Sequence, residues 1–258
     1  MDRENQQDGE YAVVFCCRSI GVSLCVGKKD FLFEHQTSVR QGLRFMVYYY
    51  RNGVGRMKPS ELFTKITNQT GLYNIQPIEN ISSIMSRGLL CNERAARITH
   101  KSIAMPEIQE RRNGVFIPNG MALHKYANLY FDPRNPMLYK RKAENEKLCI
   151  LKFDSDVLDI DGVIVSDRNA SSGYASFYPP EIGLSKIDFT LVYATNWTDF
   201  DEYIYYKKKS AKCAEVLIPY MIPFYYVVCA AVYNETAKQN LEKMGFDRRI
   251  FVNPEFFF

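Results

Sequence analysis

The segment LHKYANLYFDPRNPMLYKRK, from Leu123 to Lys142, joins a short apolar run to an unusually rigid continuation. The run ANLYF has the length of one β-strand, since most strands are about 5–6 residues long. Asp-Pro follows directly, and a second proline precedes the apolar pair Met137 and Leu138. Proline restricts its own backbone and that of the preceding residue. The pattern therefore predicts a strand that ends in a rigid loop, with Arg134 and Met137 held beside the strand end.

The composition is that of an ordinary globular protein. The chain has 258 residues, of which 47% are hydrophobic and 24% charged, enough to bury one domain core. The net charge of +4 permits a polyanionic partner without requiring one. The longest apolar run, VLIPYMIPFYYVVCAAVY, contains Pro219 and Pro223. Its β-branched and aromatic content predicts two buried strands with a proline-marked turn, and no membrane contact is expected.

The cysteine pattern favours free thiols over a metal site. Seven cysteines are scattered without a C-x-x-C motif, and none of the three histidines stands at ligand spacing from a cysteine. We therefore predict no structural zinc and no metal in the functional site. Scattered thiols are typical of a reducing compartment, and the opening MDRENQQDGE lacks the order of a signal peptide. A cytoplasmic protein is expected.

The order of the predicted elements indicates the fold class. Strands outnumber helices and do not alternate with them, which predicts an α+β fold with mostly antiparallel sheets. Residues 1–68 are predicted to be an N-terminal extension of unknown role, with strands in YAVVFCCRSIGVSLCVG and a helix in KPSELFTKIT that starts at Ser60. Residues 69–258 are predicted to form the main domain. Within it, ENISSIMSRGLL and NETAKQNLEKM have helical spacing and capping residues.

The stretch YYKKKSAKCAEVLIP, from Tyr205 to Pro219, leaves two interpretations open. The first is a solvated lysine loop followed by a strand, with Glu215 as an edge residue two positions into that strand. The second is an inward-facing Glu215 that stabilises a positive charge developing in a substrate, while the tyrosines and lysines hold a phosphate backbone or stack on bases.

Two further clusters are weaker signals. In IQERRNGVFIPNG, Glu110, Arg111 and Arg112 precede a turn, and a surface salt-bridge cluster is the alternative to a functional site. In VSDRNASSGYASFY, a strand runs into Asp167, Arg168 and Asn169, which is typical of a turn or a helix start.

Taken in order, these motifs resemble the DarT family of nucleic-acid ADP-ribosyltransferase toxins. The similar motifs are LYNIQPIENISSIMSRGLL, IQERRN, LHKYANLYFDPRNPMLY, VSDRNAS, AEVLIP and a C-terminal strand that ends in aromatics. Together they cover about residues 71–258. The resemblance implies an ADP-ribosyltransferase-like fold of mostly antiparallel, split β-sheets with flanking helices.

The resemblance also implies roles for individual residues. Glu215 is expected to hydrogen-bond the nicotinamide-ribose hydroxyl and stabilise an oxocarbenium-like transition state. Arg112 is expected to orient the acceptor base and assist its deprotonation. Tyr130 and Met137 are expected to pack on the nicotinamide, and Asn80 to line the NAD side.

The sequence departs from the family pattern at several positions. Asn74 and Gln76 stand where the family usually has a histidine and a threonine, Asn169 stands where it has a histidine, and YVPFYF is reduced to YANLYF. Amide side chains can also hydrogen-bond ribose hydroxyls or the carboxamide, so we expect all three to bind NAD+. Residues expected to contact nucleic acid are Arg134, Arg168, Tyr206, Lys207, Lys208, Lys209 and Lys212, with a diphosphate as the alternative contact of Arg134.

The function implied by the resemblance is transfer of ADP-ribose from NAD+ to a base in single-stranded nucleic acid. DNA is the first choice of acceptor, in a toxin of a toxin–antitoxin or anti-phage system, with a cognate antitoxin such as a macrodomain protein as partner. RNA modification, a catalytically idle nucleic-acid-binding relative, and a protein-modifying or NAD-hydrolysing enzyme remain alternatives. NAD+ is expected to serve as the substrate, and its good leaving group removes the need for a protein nucleophile.

Overall fold

The computed structural model describes Cys16–Cys17, Val22–Ser23 and residues 57–258. The first two segments, β1 and β2, pair as antiparallel strands, in agreement with strands predicted there. The rest of that predicted strand segment lies outside the described residues. Residues 57–258 belong to one compact unit, Arg56–Phe258.

The described part of this unit consists of short strands and helices. The further strands are β3 Gly71–Pro77, β4 Leu89–Leu90, β5 Tyr126–Tyr130, β6 Leu148–Asp154, β7 Ile164–Ser166, β8 Phe177–Tyr178, β9 Glu215–Pro219, β10 Met221–Ile222, β11 Val227–Val232 and β12 Arg249–Val252. The α-helices are α1 Pro59–Thr67, α2 Ile81–Arg87, α3 Asn92–Ala95, α4 Pro106–Asn113, α5 Pro136–Lys140, α6 Pro180–Gly183, α7 Phe189–Val192, α8 Glu202–Ala211 and α9 Glu235–Lys243. Short 3-10 helices cover Ile78–Asn80, Leu123–Lys125, Lys142–Lys147, Ser155–Asp159, Phe224–Tyr226 and Pro254–Phe256.

One large sheet organises these elements. Its strand order is β12-β11-β6-β3-β5-β9-β7-β8, while β4 and β10 form a separate two-stranded ribbon. Only β11 and β12 pair in parallel within the described sheet; all its other pairs are antiparallel. The predicted α+β class is confirmed. The predicted strands in the long apolar run are also confirmed, as β9 and β11 with the short β10 between them.

The large sheet is divided into two halves at its centre. Strands β3 and β5 meet through a single residue pair, Tyr73 and Tyr130. By contrast, β3 pairs with β6 at every position from Gly71 to Pro77, and β5 pairs with β9 from Tyr126 to Tyr130. The two half-sheets therefore diverge from one narrow contact, which opens a cleft between them.

Helix α1 packs into the main core. Phe63 is fully buried, with its ring centroid 5.7 Å from Phe131 and 6.1 Å from Phe189. The predicted boundary after residue 68 assigns this helix to the extension, whereas its aromatic contacts place it in the domain. Its N-cap is Lys58 rather than Ser60. Ser60 instead donates its backbone N–H and its hydroxyl to the carboxylate of Asp159, at 2.9 and 2.8 Å.

The predicted basic loop before β9 is a helix, α8. The side chain of Asp201 accepts a hydrogen bond from the backbone N–H of Ile204 at 3.0 Å, and so caps the helix N-terminus. Glu202 lies in the first turn, and Lys208 and Lys209 lie in the last. An acidic residue in the first turn and basic residues in the last turn stabilise a helix through its dipole. The lysines predicted to lie in a loop therefore lie on a helix.

Candidate active site

Glu215 is a buried carboxylate at the start of β9. It is the first residue of the strand, not two positions into it, and it lies opposite Tyr130 of β5. The residue is only 1% exposed. Its Oε1 accepts a hydrogen bond from the backbone N–H of Ala170 at 2.9 Å, and its own N–H donates to the hydroxyl of Ser166 at 3.2 Å. The edge-residue interpretation of Glu215 is therefore wrong.

Arg112 neutralises this carboxylate. Its Nη1 lies 3.1 Å from Oε1 and 3.0 Å from Oε2 of Glu215, and its side chain is 9% exposed. The surface-cluster interpretation is wrong for Arg112. Its neighbour Arg111 is exposed, donates to the backbone carbonyl of Glu107 and also lines the cavity described below. The last turn of α4 thus brings a cation from 103 positions away in the sequence onto the buried carboxylate.

A cavity of about 790 Å³ opens beside this ion pair. Arg112 lines the cavity, whereas Glu215 lies behind it, outside the lining. The volume falls in the upper part of the range of small-molecule sites, about 300–1,000 Å³. The walls come from both half-sheets and from helices α2, α3, α4, α5 and α8. The cavity therefore lies where the sheet divides.

Three amide side chains form one wall of the cavity. Asn74 donates to the backbone carbonyl of Asn128 at 2.9 Å, across the division between the half-sheets. Gln76 donates to Asn74 at 2.7 Å, and Asn80 donates to Gln76 at 3.2 Å and to the carbonyl of Lys101 at 2.8 Å. Asn74 and Gln76 share a face because strand side chains alternate. The fold therefore brings together Asn74, Gln76 and Asn80, the three residues of this wall that the sequence predicts to bind NAD+.

The cavity lining also includes the predicted aromatic and thioether groups. Tyr130 and Met137 both line the cavity. Burial, reinforced by the charge of Glu215, raises the pKa of Tyr130, so its phenol keeps its proton at neutral pH. Met137 lies on α5, whose N-terminus is capped by the fully buried Asn135 through hydrogen bonds from the N–H groups of Met137 and Leu138, at 3.0 and 3.1 Å. The predicted rigid loop thus includes a short helix.

Asn169 shapes the turn that faces Glu215. It lines the cavity, and its Oδ1 accepts hydrogen bonds from the N–H and the hydroxyl of Ser171, at 2.9 and 2.8 Å. Its backbone N–H donates to the carbonyl of Ser210 at 3.2 Å. These bonds fix the turn that directs the Ala170 N–H at Glu215. A direct contact of Asn169 with NAD+ stays a prediction.

The residues predicted to contact nucleic acid separate into two groups. Tyr206 and Lys209 line the cavity, and the ammonium of Lys209 lies 3.0 Å from the hydroxyl of Tyr205. Lys207 is exposed on the same helix, and Lys208 pairs with Asp199 at 2.6 Å.

The other three predicted contacts face elsewhere. Lys212 is 1% exposed and bonds inside the protein, so its assignment to nucleic acid is wrong. Arg134 donates to the carbonyls of Glu255 and Phe257, and its guanidinium lies 4.3 Å from the ring centroid of Phe258. These contacts hold the Arg134 guanidinium against the C-terminal segment, and Arg134 is not among the residues that line the cavity. Arg168 is also outside the lining and pairs with Asp167 at 2.9 Å.

Sequence reasoning missed some cavity residues. His124 and Tyr174 both line the cavity. Burial and the charge of Arg112 lower the pKa of His124, and its buried Nε2 has no hydrogen-bond partner in the described part of the chain. Tyr174 is 84% exposed, on the turn after Asn169. A lone histidine before a strand and a tyrosine in a serine-rich turn carry no distinctive sequence signal.

Residues 57–258 contain no group of three or more His, Cys, Asp or Glu side chains arranged to hold a metal ion. Within the same residues, no helix combines the length and the apolar character needed to cross a bilayer.

The divided, mostly antiparallel sheet with a buried glutamate beside the central cleft agrees with the ADP-ribosyltransferase-like fold that the resemblance implies. Residues 73–258 match the family model described as "ssDNA thymidine ADP-ribosyltransferase, DarT". The chain belongs to the DarT family. The resemblance inferred from the six motifs is therefore confirmed.

Individual relatives agree with this family. The chain is 30% identical over 195 residues to a DNA ADP-ribosyl transferase–DNA ADP-ribosyl glycohydrolase fusion protein of Thermosipho africanus, which covers 72% of the chain and 49% of the fusion protein. It is 28% identical over 186 residues to a DNA ADP-ribosyl transferase of Thermus sp. strain 2.9, covering 68% of the chain and 87% of that relative.

The fold is similar to a solved member of the family. The structure of Thermus sp. 2.9 DarT in complex with ADP-ribosylated ssDNA superposes with a TM-score of 0.63 at 26% identity, covering 74% of this chain and 97% of that one. The chain spans only about half the length of the Thermosipho fusion protein.

Proposed function

We propose that this chain transfers ADP-ribose from NAD+ to a base of single-stranded DNA and acts as the toxin of a toxin–antitoxin or anti-phage system. The observation that carries the proposal is the buried Arg112–Glu215 pair at the wall of the cavity. The pair supplies an anion to oppose a ribose cation and a cation to oppose a base anion.

The cavity walls fit the parts of NAD+. The amides of Asn74, Gln76 and Asn80 offer donors and acceptors to a carboxamide and to ribose hydroxyls. Tyr130 and Met137 offer a largely apolar surface to the nicotinamide ring. The three amides are preorganised by their mutual hydrogen bonds, which lowers the cost of ordering them when a substrate binds.

The reaction needs Glu215 and Arg112 to separate. Glu215 is 1% exposed behind Arg112, so its carboxylate reaches a ribose hydroxyl only after the guanidinium moves aside. The bond between the ribose anomeric carbon and the nicotinamide nitrogen then breaks, and the electron pair leaves with nicotinamide. Glu215 stabilises the oxocarbenium-like cation.

Arg112 acts on the acceptor in the same step. An arginine stays protonated in proteins, so it serves as a fixed positive charge and not as a base. It stabilises the negative charge that develops on a base nitrogen as the proton is lost to solvent, and that nitrogen forms the new bond to the anomeric carbon. One guanidinium thus shields the carboxylate before binding and activates the acceptor afterwards.

The acceptor surface is formed by α8 and the turn after Asn169. Tyr206 is 56% exposed and Tyr174 is 84% exposed, and both line the cavity beside Lys209. Exposed aromatic rings beside lysines suit unpaired bases, which stack for roughly 1–3 kcal/mol each. A duplex must first be opened at a cost of a few kcal/mol, so single strands are the favoured substrate.

The proposed partner is an antitoxin that removes ADP-ribose, such as a macrodomain protein. The Thermosipho relative supports this, since its name joins a transferase with a DNA ADP-ribosyl glycohydrolase. Cytoplasmic location is part of the proposal, supported by the free thiols of Cys91, Cys149, Cys213 and Cys229. Coexpression with a DNA ADP-ribosyl glycohydrolase is expected to restore growth to cells that express the chain; continued arrest would contradict the antitoxin proposal.

Labelled NAD+ tests the activity directly. The protein is incubated with separate pools of single-stranded DNA, duplex DNA, RNA and protein, and incorporation into each pool is measured. We expect label in single-stranded DNA. Label in RNA alone or protein alone would replace the proposed acceptor, and release of nicotinamide without incorporation would identify an NAD-hydrolysing enzyme.

A further inference from the structure

Lys212 is a buried cation that the proposed reaction does not use directly. It lies three residues before Glu215 and is 1% exposed. Its ammonium donates to the carboxylate of Asp132 and, at 2.9 Å, to the carbonyl of Ala194. Lysine is almost never fully buried unless it is paired. None of these three residues lines the cavity, so the pair acts from behind its wall.

The Lys212–Asp132 pair closes the ladder between β5 and β9. The last pair of that ladder is formed by Tyr130 and Glu215. Asp132 follows the end of β5 and Lys212 precedes the start of β9, so the ion pair lies just past this last pair. The ends of secondary structure open most readily. The ion pair therefore ties the two strands together where Glu215 would otherwise sit at a fraying end.

The loop that contains Asp132 also orders the part of the cavity lining that includes Met137. The backbone carbonyl of Asp132 accepts a hydrogen bond from the side chain of Asn135 at 3.1 Å. Asn135 in turn accepts from the N–H of Met137 and so fixes the start of α5. A continuous chain of polar contacts thus runs from Lys212 through Asp132 and Asn135 to the backbone of Met137.

We propose that Lys212 is a positioning residue, which acts through Asp132 to hold the Glu215 carboxylate and the Met137 wall at a fixed separation. The inference rests on the proposed function, because that separation matters only if NAD+ lies between them. A displacement of about 1 Å in an active site can lower the rate about 100-fold. Lys212 therefore influences the chemical step without touching a substrate.

Three variants separate this role from a purely structural one. Lys212→Met leaves the carboxylate of Asp132 without its cation, although the backbone N–H of Arg134 still donates to it. Asp132→Asn leaves the ammonium of Lys212 without its anion, although it still donates to the carbonyl of Ala194. The double variant contains neither charge. Lys238→Met is the control, since it removes a surface lysine that lies 3.7 Å from Glu235 on α9. Thermal unfolding midpoint, kcat and KM for NAD+ are measured for each.

Both single variants are expected to unfold at lower temperature, because a lone buried charge is strongly destabilising. The double variant is expected to regain most of the loss in thermal unfolding midpoint, since no unpaired charge remains. Its kcat is expected to stay at least tenfold below that of the unmodified protein, with little change in KM. That split is typical of an interaction realised only in the transition state.

Amide hydrogen exchange gives a readout that does not depend on activity. In the double variant, we expect faster exchange over residues 130–137 and 213–217, with unchanged exchange in β6 and β11. Recovery of kcat together with the midpoint, failure of the double variant to fold, or unchanged exchange in both segments would each overturn the positioning role. If the unmodified protein modifies no acceptor, the proposed function is overturned instead. The hydrogen-exchange measurement would still test whether Lys212 orders these two segments.

Discussion

Replacing Glu215 by Gln tests the central assignment, because it keeps the side-chain shape and removes the charge. The carboxylate receives hydrogen bonds from Arg112 and from the N–H of Ala170. Gln retains one acceptor oxygen but turns an NH2 group toward these donors. Without the negative charge, the ribose cation loses its opposing anion. We expect transfer to fall at least 100-fold, which corresponds to about 2.7 kcal/mol of transition-state stabilisation.

The same change has a separate effect on stability. Hydrogen bonds to charged groups contribute roughly 1.5–3 kcal/mol each. Arg112 borders the cavity and can reach water once released, so we expect a total loss of only about one such bond. For a domain of this size, that corresponds to a fall in Tm of roughly 3–12 °C.

Single-turnover transfer of labelled ADP-ribose to single-stranded DNA measures the first effect, and thermal unfolding measures the second. Glu235→Gln is the matched control, because the Glu235 side chain is 68% exposed on α9. Transfer by Glu215→Gln at the rate of the control would refute the catalytic role of Glu215. A large loss of NAD+ affinity by calorimetry, with the rate at saturation unchanged, would place Glu215 in binding instead.

Three further substitutions and one labelling experiment test the remaining parts of the site and the fold. Arg112→Ala is expected to abolish modification of DNA while leaving NAD+ binding measurable by calorimetry; equal loss of both would place Arg112 in the NAD+ site. Changing Lys207–Lys209 to Ser is expected to weaken binding of single strands and to reduce the log–log salt slope by about 0.7 per lost phosphate contact; an unchanged slope would mean that α8 is only a solvated surface. Burial raises the pKa of Cys213 to about 12, so iodoacetamide at pH 8 is expected to label this thiol only after denaturation; rapid labelling of the folded protein would contradict its burial. Asp159→Ala removes the acceptor of both Ser60 hydrogen bonds and is expected to lower the free energy of unfolding by about 1–3 kcal/mol in denaturant titration; an unchanged midpoint would show that helix α1 is held by its aromatic contacts alone.

The fold class was accessible from local signals in the sequence, whereas Arg112 and Glu215 were singled out only through the resemblance to the DarT family. Apolar runs of strand length without βαβ alternation predict an antiparallel sheet. The segments around Arg112 and Glu215 each carry a short motif. The two residues are 103 positions apart in the sequence, however, and neither segment predicts that the guanidinium of Arg112 covers the carboxylate of Glu215.

Lys212 shows most clearly what sequence reasoning could not reach. It belongs to a run of lysines with nearly identical local surroundings, yet it is 1% exposed while Lys207 is exposed. The difference arises from Asp132, which lies 80 positions away in the sequence. The sequence does, by contrast, contain a signal that this segment is helical. Asp201 is a good capping residue, and Glu202 follows it in the first turn.

The single residue pair that joins the two half-sheets also bears on how such an enzyme can change its target. Tyr73 and Tyr130 form the β3–β5 ladder contact, so each half keeps its own hydrogen-bonded framework. The amide wall of Asn74 and Gln76 belongs to one half, and Glu215 belongs to the other. Effects of substitutions usually add when the sites share no partners. The proposed NAD+ site draws on both halves, whereas the proposed acceptor surface is formed by α8 and the turn after Asn169. A chimera that exchanges α8 between relatives is therefore expected to acquire a new target sequence while its use of NAD+ is preserved.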